Sequence, residues 1–228
     1  MAQLELNLDA FQKLSQAAGE KGNNLPAIVT VATLSGVDGF SLSYDGRSPG
    51  FSEKDLELTI AACMDNRFAL RIPPRAELVQ LALSLPVTQI IFSSANIFES
   101  FAADLETFIP QLKEGGKLVS FHLEPELNLL KKAYKLQSDL VELDCSHYTE
   151  NANPAGRVEA QEQLSLMAKT AEKNGIGVAV QGGVGYQNVI PLISIEAVEN
   201  IVVGRSIVSR AFFVGLETAI RDFKAQVI

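Results

Sequence analysis

Cysteine is scarce: Cys63 and Cys145 are the two in 228 residues. Two do not make a disulfide framework, which excludes the small stapled secreted folds and makes the cytoplasm the default expectation. Positive charge is also in short supply, with 19 Lys and Arg against 27 Asp and Glu, a net charge of −8. A surface that acidic argues against nucleic acid or an anionic membrane as a partner. Long apolar runs are missing; the longest are strand-sized or broken by charges, so no transmembrane span is expected. Met1-Ala2-Gln3-Leu4-Glu5 lacks the basic start and apolar centre of a signal peptide. With no linker, low-complexity tract or composition break, residues 1–228 read as one domain. Its 47% hydrophobic content suffices for a sizeable core.

What is present is an alternation of strand and helix, about eight times over. Residues 4–9 alternate apolar and polar and read as the first strand, and 25–34 as a helix with Pro26 in its first turn. Strand 40–43 leads into a Gly- and Pro-containing loop, 45–50, suited to a lid. Ser52, with Glu53 and Asp55 behind it, caps a helix running to about Met64. Strand 68–71, a helix from Pro74 to Ser84, strand 87–93 and a helix over 97–114 follow, the last ended by Gly115-Gly116. Strand 117–124, a helix opened by Pro125, strand 140–144 and a long amphipathic helix over 158–174 come next. Two glycine-terminated strands and a helix over 206–225 complete the chain. Strands alternating with helices imply a parallel sheet, and eight of them imply closure into a single (β/α)8 TIM barrel.

The two glycine-terminated strands carry the clearest chemical signal. Ile176-Gly177-Val178-Ala179-Val180-Gln181 stops at Gly182-Gly183-Val184-Gly185, and Ile201-Val202-Val203 stops at Gly204-Arg205-Ser206. Glycine allows close backbone approach to a ligand, and a following helix N-terminus points amides at an anion. In barrels a phosphate site commonly falls after strands seven and eight. The plainer alternative is a pair of tight strand-to-helix turns. If the apolar residues of each strand face the helices, the others face the axis: Glu5, Asn7, Asp9, Ser41, Ser43, Ala69, Arg71, Ser120, His122, Glu124, Glu142, Asp144 and Gln181.

Three readings of this polar interior stay open. Arg71 could neutralise the carboxylates as a salt-bridge cluster without further function. Glu142 or Glu124 could be a general base with its pKa raised by carboxylate neighbours. Asp9, Glu124, Glu142, Asp144 and His122 could hold a divalent cation, although no spacing is diagnostic, so no metal and no cofactor are assigned. Cys145-Ser146-His147 offers a thiol beside an imidazole, yet Cys145 reads as packing and His147 as a loop residue. Cys63 reads as core. Phe212, Phe213, Leu216 and Phe223 read as barrel packing or as cover for a subunit interface. Lys117, at the start of strand five, is the one lysine at a strand end, which disfavours Schiff-base aldolase chemistry.

Several segments, in order and spacing, resemble the pyridoxine 5′-phosphate synthase family of vitamin B6 biosynthesis over almost the whole chain. They are Leu6-Asn7-Leu8-Asp9, Gly36-Val37-Asp38-Gly39-Phe40-Ser41, Phe51-Ser52-Glu53-Lys54-Asp55, Val141-Glu142-Leu143 with Tyr148, Gly183-Val184-Gly185-Tyr186-Gln187-Asn188-Val189, and Gly204-Arg205-Ser206-Ile207-Val208-Ser209-Arg210-Ala211. The resemblance implies a homo-oligomer, octameric or smaller, that condenses an aminoacetone-type phosphate with deoxyxylulose 5-phosphate. Asn7, Asp9 and Glu142 stand where the family has such residues. Elsewhere Ala10, Ser43, Asp144 and Gly182 replace expected histidines, Arg205 follows Gly204 where a histidine is expected, Ala18 and Asp45 replace arginines, and Arg71 replaces a glutamate. Arg47 is close enough in sequence to reach the space Asp45 vacates.

The expectation is therefore a barrel that binds a small phosphorylated metabolite but has lost or changed the ring-closing reaction. Its candidate acid–base groups are Asn7, Asp9, His122, Glu124, Glu142 and Asp144. Its candidate ligand contacts are Ser43, Arg47, Arg71, Gln181, Gly182, Gly183, Gly204, Arg205 and Ser206. The alternatives are a non-catalytic regulatory barrel and an acid–base enzyme acting on another sugar phosphate.

Overall fold

A computed structural model describes residues 2–19, 24–47 and 50–227. Eight parallel strands, β1 (Gln3–Asn7), β2 (Gly39–Ser43), β3 (Arg67–Ile72), β4 (Gln89–Phe92), β5 (Leu118–Leu123), β6 (Leu140–Asp144), β7 (Gly177–Gln181) and β8 (Asn200–Val203), close into a barrel in chain order. Closure is direct: β8 pairs with β1 through Gln3 opposite Asn200 and Leu6 opposite Val203. The expected (β/α)8 barrel is thus the fold.

Helices α1 (Asp9–Ala17), α2 (Leu25–Leu34), α3 (Glu53–Ala62), α4 (Ala76–Ser84), α5 (Ile97–Ser100), α6 (Ala102–Glu114), α7 (Leu127–Lys135), α8 (Ser146–Thr149), α9 (Pro154–Lys173), α10 (Val189–Ile193), α11 (Arg205–Val214) and α12 (Leu216–Val227) surround it. Outward-facing residues such as Leu4, Leu6, Phe40, Leu42 and Leu70 pack under these helices in one contiguous apolar core. Inward-facing Ala69, Ile91, Ala179 and Val202 are buried too but lie outside that core, inside the barrel wall. The strand register stacks the inward side chains in tiers from alternate strands. One tier holds Glu5, Ala69, Ser120 and Ala179, and a higher one holds Asn7, Arg71, His122 and Gln181.

Several boundaries differ from expectation for local reasons. The first strand ends at Asn7, because the Asn7 Oδ1 accepts from the Asp9 amide at 2.9 Å and turns the chain into α1, which strand alternation did not anticipate. The helix expected over 97–114 is interrupted at Phe101, after a left-handed Asn96 at φ 49°. The last helix divides at Gly215, whose φ of 81° ends α11. The helix after β5 begins at Leu127 rather than Pro125, and α9 begins at Pro154 with Asn153 as its cap. Ser52 caps α3 as expected, and does so in a reciprocal capping box with Asp55. Of the proposed lid at 45–50, residues 48–49 lie outside the described residues.

Cys63 is core, as expected. Phe223 is core as well, but Phe212 and Phe213 are 69% and 85% exposed, so the barrel-packing reading fails for those two. Both lie in the last turn of α11. Among the described residues no helix is long and apolar enough to cross a membrane.

Phe121 on β5 is fully buried with its ring centroid 5.9 Å from that of Phe92 and 5.0 Å from that of Phe98. Removing that ring leaves a cavity its rigid neighbours cannot fill. Phe121→Ala is expected to lower the unfolding free energy by about 3–5 kcal/mol in urea denaturation; a loss under about 1 kcal/mol would contradict the packing described.

Candidate functional site

Two connected depressions open at the C-terminal ends of the strands. The larger, of about 690 Å³, is lined on one side by Asn7 and Asp9 and on the other by Asp144, Gln181, Gly182, Gly183 and the Gly204-Arg205-Ser206 turn. The smaller, of about 280 Å³, lies over β2, β3 and β4 and takes in Gln12, Ser43, Asp45, Arg71 and Ser93. Asp9 and Lys13 belong to both walls.

The glycine turns are sterically required. Gly182 and Gly183 have φ of 109° and 63°. A Cβ on Gly182 would stand 2.6 Å from Asp144 Oδ1, and one on Gly183 would collide with the Thr149 side chain. Gly204 has a different reason, since a Cβ there would meet the Asn7 carbonyl at 2.9 Å. The turn is held from outside: Thr149 Oγ1 donates to the Gly182 carbonyl at 2.8 Å, and Asn188 bonds both Gly183 O and the Gly185 amide. Ser206 Oγ donates to Val184 O at 2.9 Å and ties the two turns together. After β8 the helix α11 starts at once, so its first-turn amides, which have no intrahelical acceptor, stand at the cavity wall. After β7 the chain makes several further turns before α10 begins at Val189, so the expected second helix start is not at Gly183. Arg205 pairs with Glu150 across the mouth at 3.2 Å, both largely exposed.

Deeper in, the polar residues are tied to one another. Arg71 Nη2 lies 2.8 Å from both carboxylate oxygens of Glu142 and also donates to Gln181 Oε1. Its Nη1 is 3.9 Å from Asp9. His122 is flanked on both sides, Nδ1 at 2.9 Å from Glu142 and Nε2 at 3.3 Å from Asp144. Asp144 also accepts from the Ser146 amide at 2.7 Å. Asp9 accepts from both the amide and hydroxyl of Ser43 at 2.7 Å.

The ionisation follows from these contacts. Burial opposes charge on His122, but its hydrogen bonds to Asp144 and Glu142 prevail and raise it to about 9. Burial would raise Asp144, yet the His122 and Ser146 bonds bring it down to about 2. In Glu142 burial is likewise outweighed, first by Arg71 and then by His122, so it stays below the usual range. Glu5, one tier beneath, goes the other way: burial and the neighbouring Glu142 raise it.

Of the residues singled out in the sequence, the structure gathers Asn7, Asp9, Ser43, Arg71, His122, Glu142, Asp144 and Gln181 around the axis. Gly182, Gly183, Gly204, Arg205 and Ser206 form the adjoining rim. Glu124 does not converge: it follows the end of β5, is exposed, and faces His147 at 3.8 Å over a separate groove. Arg47 lines neither cavity, and its amide donates to Asp45 in an exposed turn. Arg71 pairs with Glu142 and also lines the smaller cavity. Cys145 is buried and donates its S–H to the Gly182 carbonyl, and burial raises its thiol, which overturns the nucleophile alternative. Lys117 lies at the opposite end, bonded to the carbonyls of Leu85 and Val87. The sequence reading missed Gln12, Lys13 and Glu150; a helical period beginning at Asp9 would have brought out the first two.

The family described as Pyridoxal phosphate biosynthesis protein PdxJ matches residues 4–228. The chain belongs to that family. A pyridoxine 5′-phosphate synthase of Syntrophobacter fumaroxidans is 27% identical, covering 100% of this chain and 99% of that protein. One from Geobacter sp. strain M21 is 28% identical over 97% of each. Among solved structures, a tryptophan synthase α-subunit variant from Pyrococcus furiosus aligns with a TM-score of 0.70 at 15% identity, covering 99% of this chain and 97% of that one. TrpF from Jonesia denitrificans gives 0.62 at 12%, covering 100% and 97%. These two likenesses speak for the fold alone. Of the positions where the resemblance leads one to expect another residue, Ser43, Arg71 and Asp144 fall in the ion network and Gly182 and Arg205 in the glycine rim.

The His122 shift has a thermodynamic consequence. Its folded value of about 9 lies above the 6.5 of a free imidazole, so its stabilisation is complete below pH 6.5 and is lost as pH rises through 9. A shift of that size corresponds to roughly 3 kcal/mol. Unfolding free energy is expected to decline by that order across this window, and His122→Gln to lack that part of the decline. Parallel profiles for the two proteins would refute the assignment.

Proposed function

We propose that this chain is a phospho-ligand-binding barrel of the vitamin B6 biosynthesis family in which the ring-closing condensation is lost or altered. The observation that carries this reading is the contrast between the two parts of the mouth. The rim of Gly182, Gly183, Gly204, Arg205 and Ser206 has the glycine sterics, the helix start and the cation that suit a phosphate. The inner groups are locked against each other. Closing a pyridine ring requires several proton transfers by groups that exchange near neutral pH. Here both nitrogens of His122 are engaged by carboxylates, Arg71 cannot act as a base, and Asp144 is held to about 2.

The matched relatives bear the name pyridoxine 5′-phosphate synthase, which supports a ligand drawn from the same phosphorylated metabolites. A cytoplasmic homo-oligomer is part of the proposal, and the exposed Phe212 and Phe213 are in keeping with a further subunit.

The test has two arms. In thermal unfolding, inorganic phosphate, pyridoxine 5′-phosphate or deoxyxylulose 5-phosphate at about 100 times its Kd is expected to raise Tm by roughly 5–10 °C, with the rise lost in Arg205→Ala. In a coupled assay with both family substrates, no pyridoxine 5′-phosphate is expected at high protein concentration. Absence of any phosphate-dependent shift removes the binding reading, and steady synthesis of the product removes the loss of the parent reaction.

A further inference from the structure

The rim that suits a phosphate already carries an anion of the protein's own. Glu150 follows α8 directly, and its amide donates to the Ser146 carbonyl at 2.9 Å. Thr149, the residue before it, is fastened to the Gly182 carbonyl at 2.8 Å, so the Glu150 backbone is set against the glycine turn. Its side chain runs over that turn: a Cβ on Gly183 would stand 3.6 Å from Glu150 Cγ. From there its Oε1 accepts from Arg205 Nη2 at 3.2 Å. A carboxylate rooted beside the β7 turn thus reaches the first residue of α11, and both partners line the larger cavity.

This contact differs from the ion pairs deeper in the barrel. Arg71 and Glu142 are buried, whereas the side chains of Glu150 and Arg205 are 60% and 74% exposed. An exposed pair holds weakly, by about fivefold in population at most. The backbones at both ends are fixed, Glu150 by α8 and Arg205 by the start of α11, so the pair can part by side-chain rotation alone. A guanidinium fork can meet two phosphate oxygens at once, while Glu150 gives it one carboxylate oxygen. A phosphate therefore gains on exchange, whereas a lone carboxylate only replaces what Glu150 supplies.

We infer that Glu150 is a tethered competitor for the anion seat at Arg205, a soft gate that the ligand's phosphate must displace. The inference rests on the phospho-ligand reading and adds regulation to it: the gate sets the rim's affinity below what its own donors could reach. Glu150 keeps weaker anions off Arg205 in the same way.

Calorimetric titration of the full chain with inorganic phosphate, in about 0.15 M salt, compares the wild type with Glu150→Gln, which keeps the shape and removes the charge. Glu159→Gln is the control of equal charge change, since its carboxylate lines the separate groove beside Glu124 and His147. Phosphate is expected to bind about fivefold more tightly to Glu150→Gln, and within about 1.5-fold of wild type to Glu159→Gln. Arg205→Ala and the double variant Arg205→Ala/Glu150→Gln complete the cycle: with the guanidinium gone, the change at 150 should bring no gain. Equal binding in wild type and Glu150→Gln overturns the gate. Weaker binding in Glu150→Gln overturns it too, and makes Glu150 a residue that holds Arg205 in place. A gain that persists without Arg205, or that appears equally in Glu159→Gln, is plain charge repulsion and also overturns it. Failure of the phosphate reading looks different: neither wild type nor Glu150→Gln binds phosphate, and the gate falls with it. Binding seen in Glu150→Gln alone upholds both.

Discussion

Arg71 reaches across the barrel from β3 to β6 and meets both oxygens of Glu142 at 2.8 Å, in a place where both ions are buried. Taking two such charges out of solvent is costly unless each finds the other and the remaining donors and acceptors are also met. The surroundings supply this. Gln181 takes part of the guanidinium, His122 takes the other side of the carboxylate, and Asp144 holds the far nitrogen of the imidazole. Four strands, β3, β5, β6 and β7, are thereby cross-linked through their inward side chains, and Asp9 at the start of α1, bonded to Asn7 of β1 and Ser43 of β2, joins those strands to the same cluster. Glu5 pays the electrostatic consequence, lying beneath an ionised Glu142 with one carboxyl oxygen unmatched.

That arrangement divides the mouth of the barrel in two. On the side of β7 and β8 the backbone itself makes the site: glycines at conformations and clearances that a side chain would violate, a helix start, and hydroxyls that fasten the turns without entering them. Elsewhere the side chains decide, and on β3, β5 and β6 their charges are balanced internally. A barrel tolerates such a change because its stability resides in the apolar layer outside the strands, which the inner tiers do not share.

The barrel was legible because its strands carry a period of two and its helices begin and end on residues with strong local preferences, such as Ser52, Gly115 and Gly175. The inward set followed from the same period and failed at its ends, where the period stops. Glu124 continues the β5 pattern on paper, but the strand has ended before it and its side chain faces His147 over a separate groove. Asp9 continues the β1 pattern yet belongs to α1, and with it went Gln12 and Lys13, whose place in the cavity walls comes from a helix direction that alternation does not express. The division of the last helix hinged on one positive φ at Gly215. Which polar residues pair, and so which remain for a ligand, depends on distances across the barrel that no local pattern contains.

The claim at the centre of this account is that His122 is a fixed imidazolium clamped between Glu142 and Asp144. Nitrogen NMR of the ¹⁵N-histidine-labelled protein, followed from acid to alkaline pH, reads its charge directly. With His147 assigned by substitution, the account requires the His122 ring to remain doubly protonated through neutrality, with its midpoint raised to about 9. A midpoint at or below the 6.5 of a free imidazole would contradict it and return His122 to the list of groups able to exchange a proton with a ligand at neutral pH.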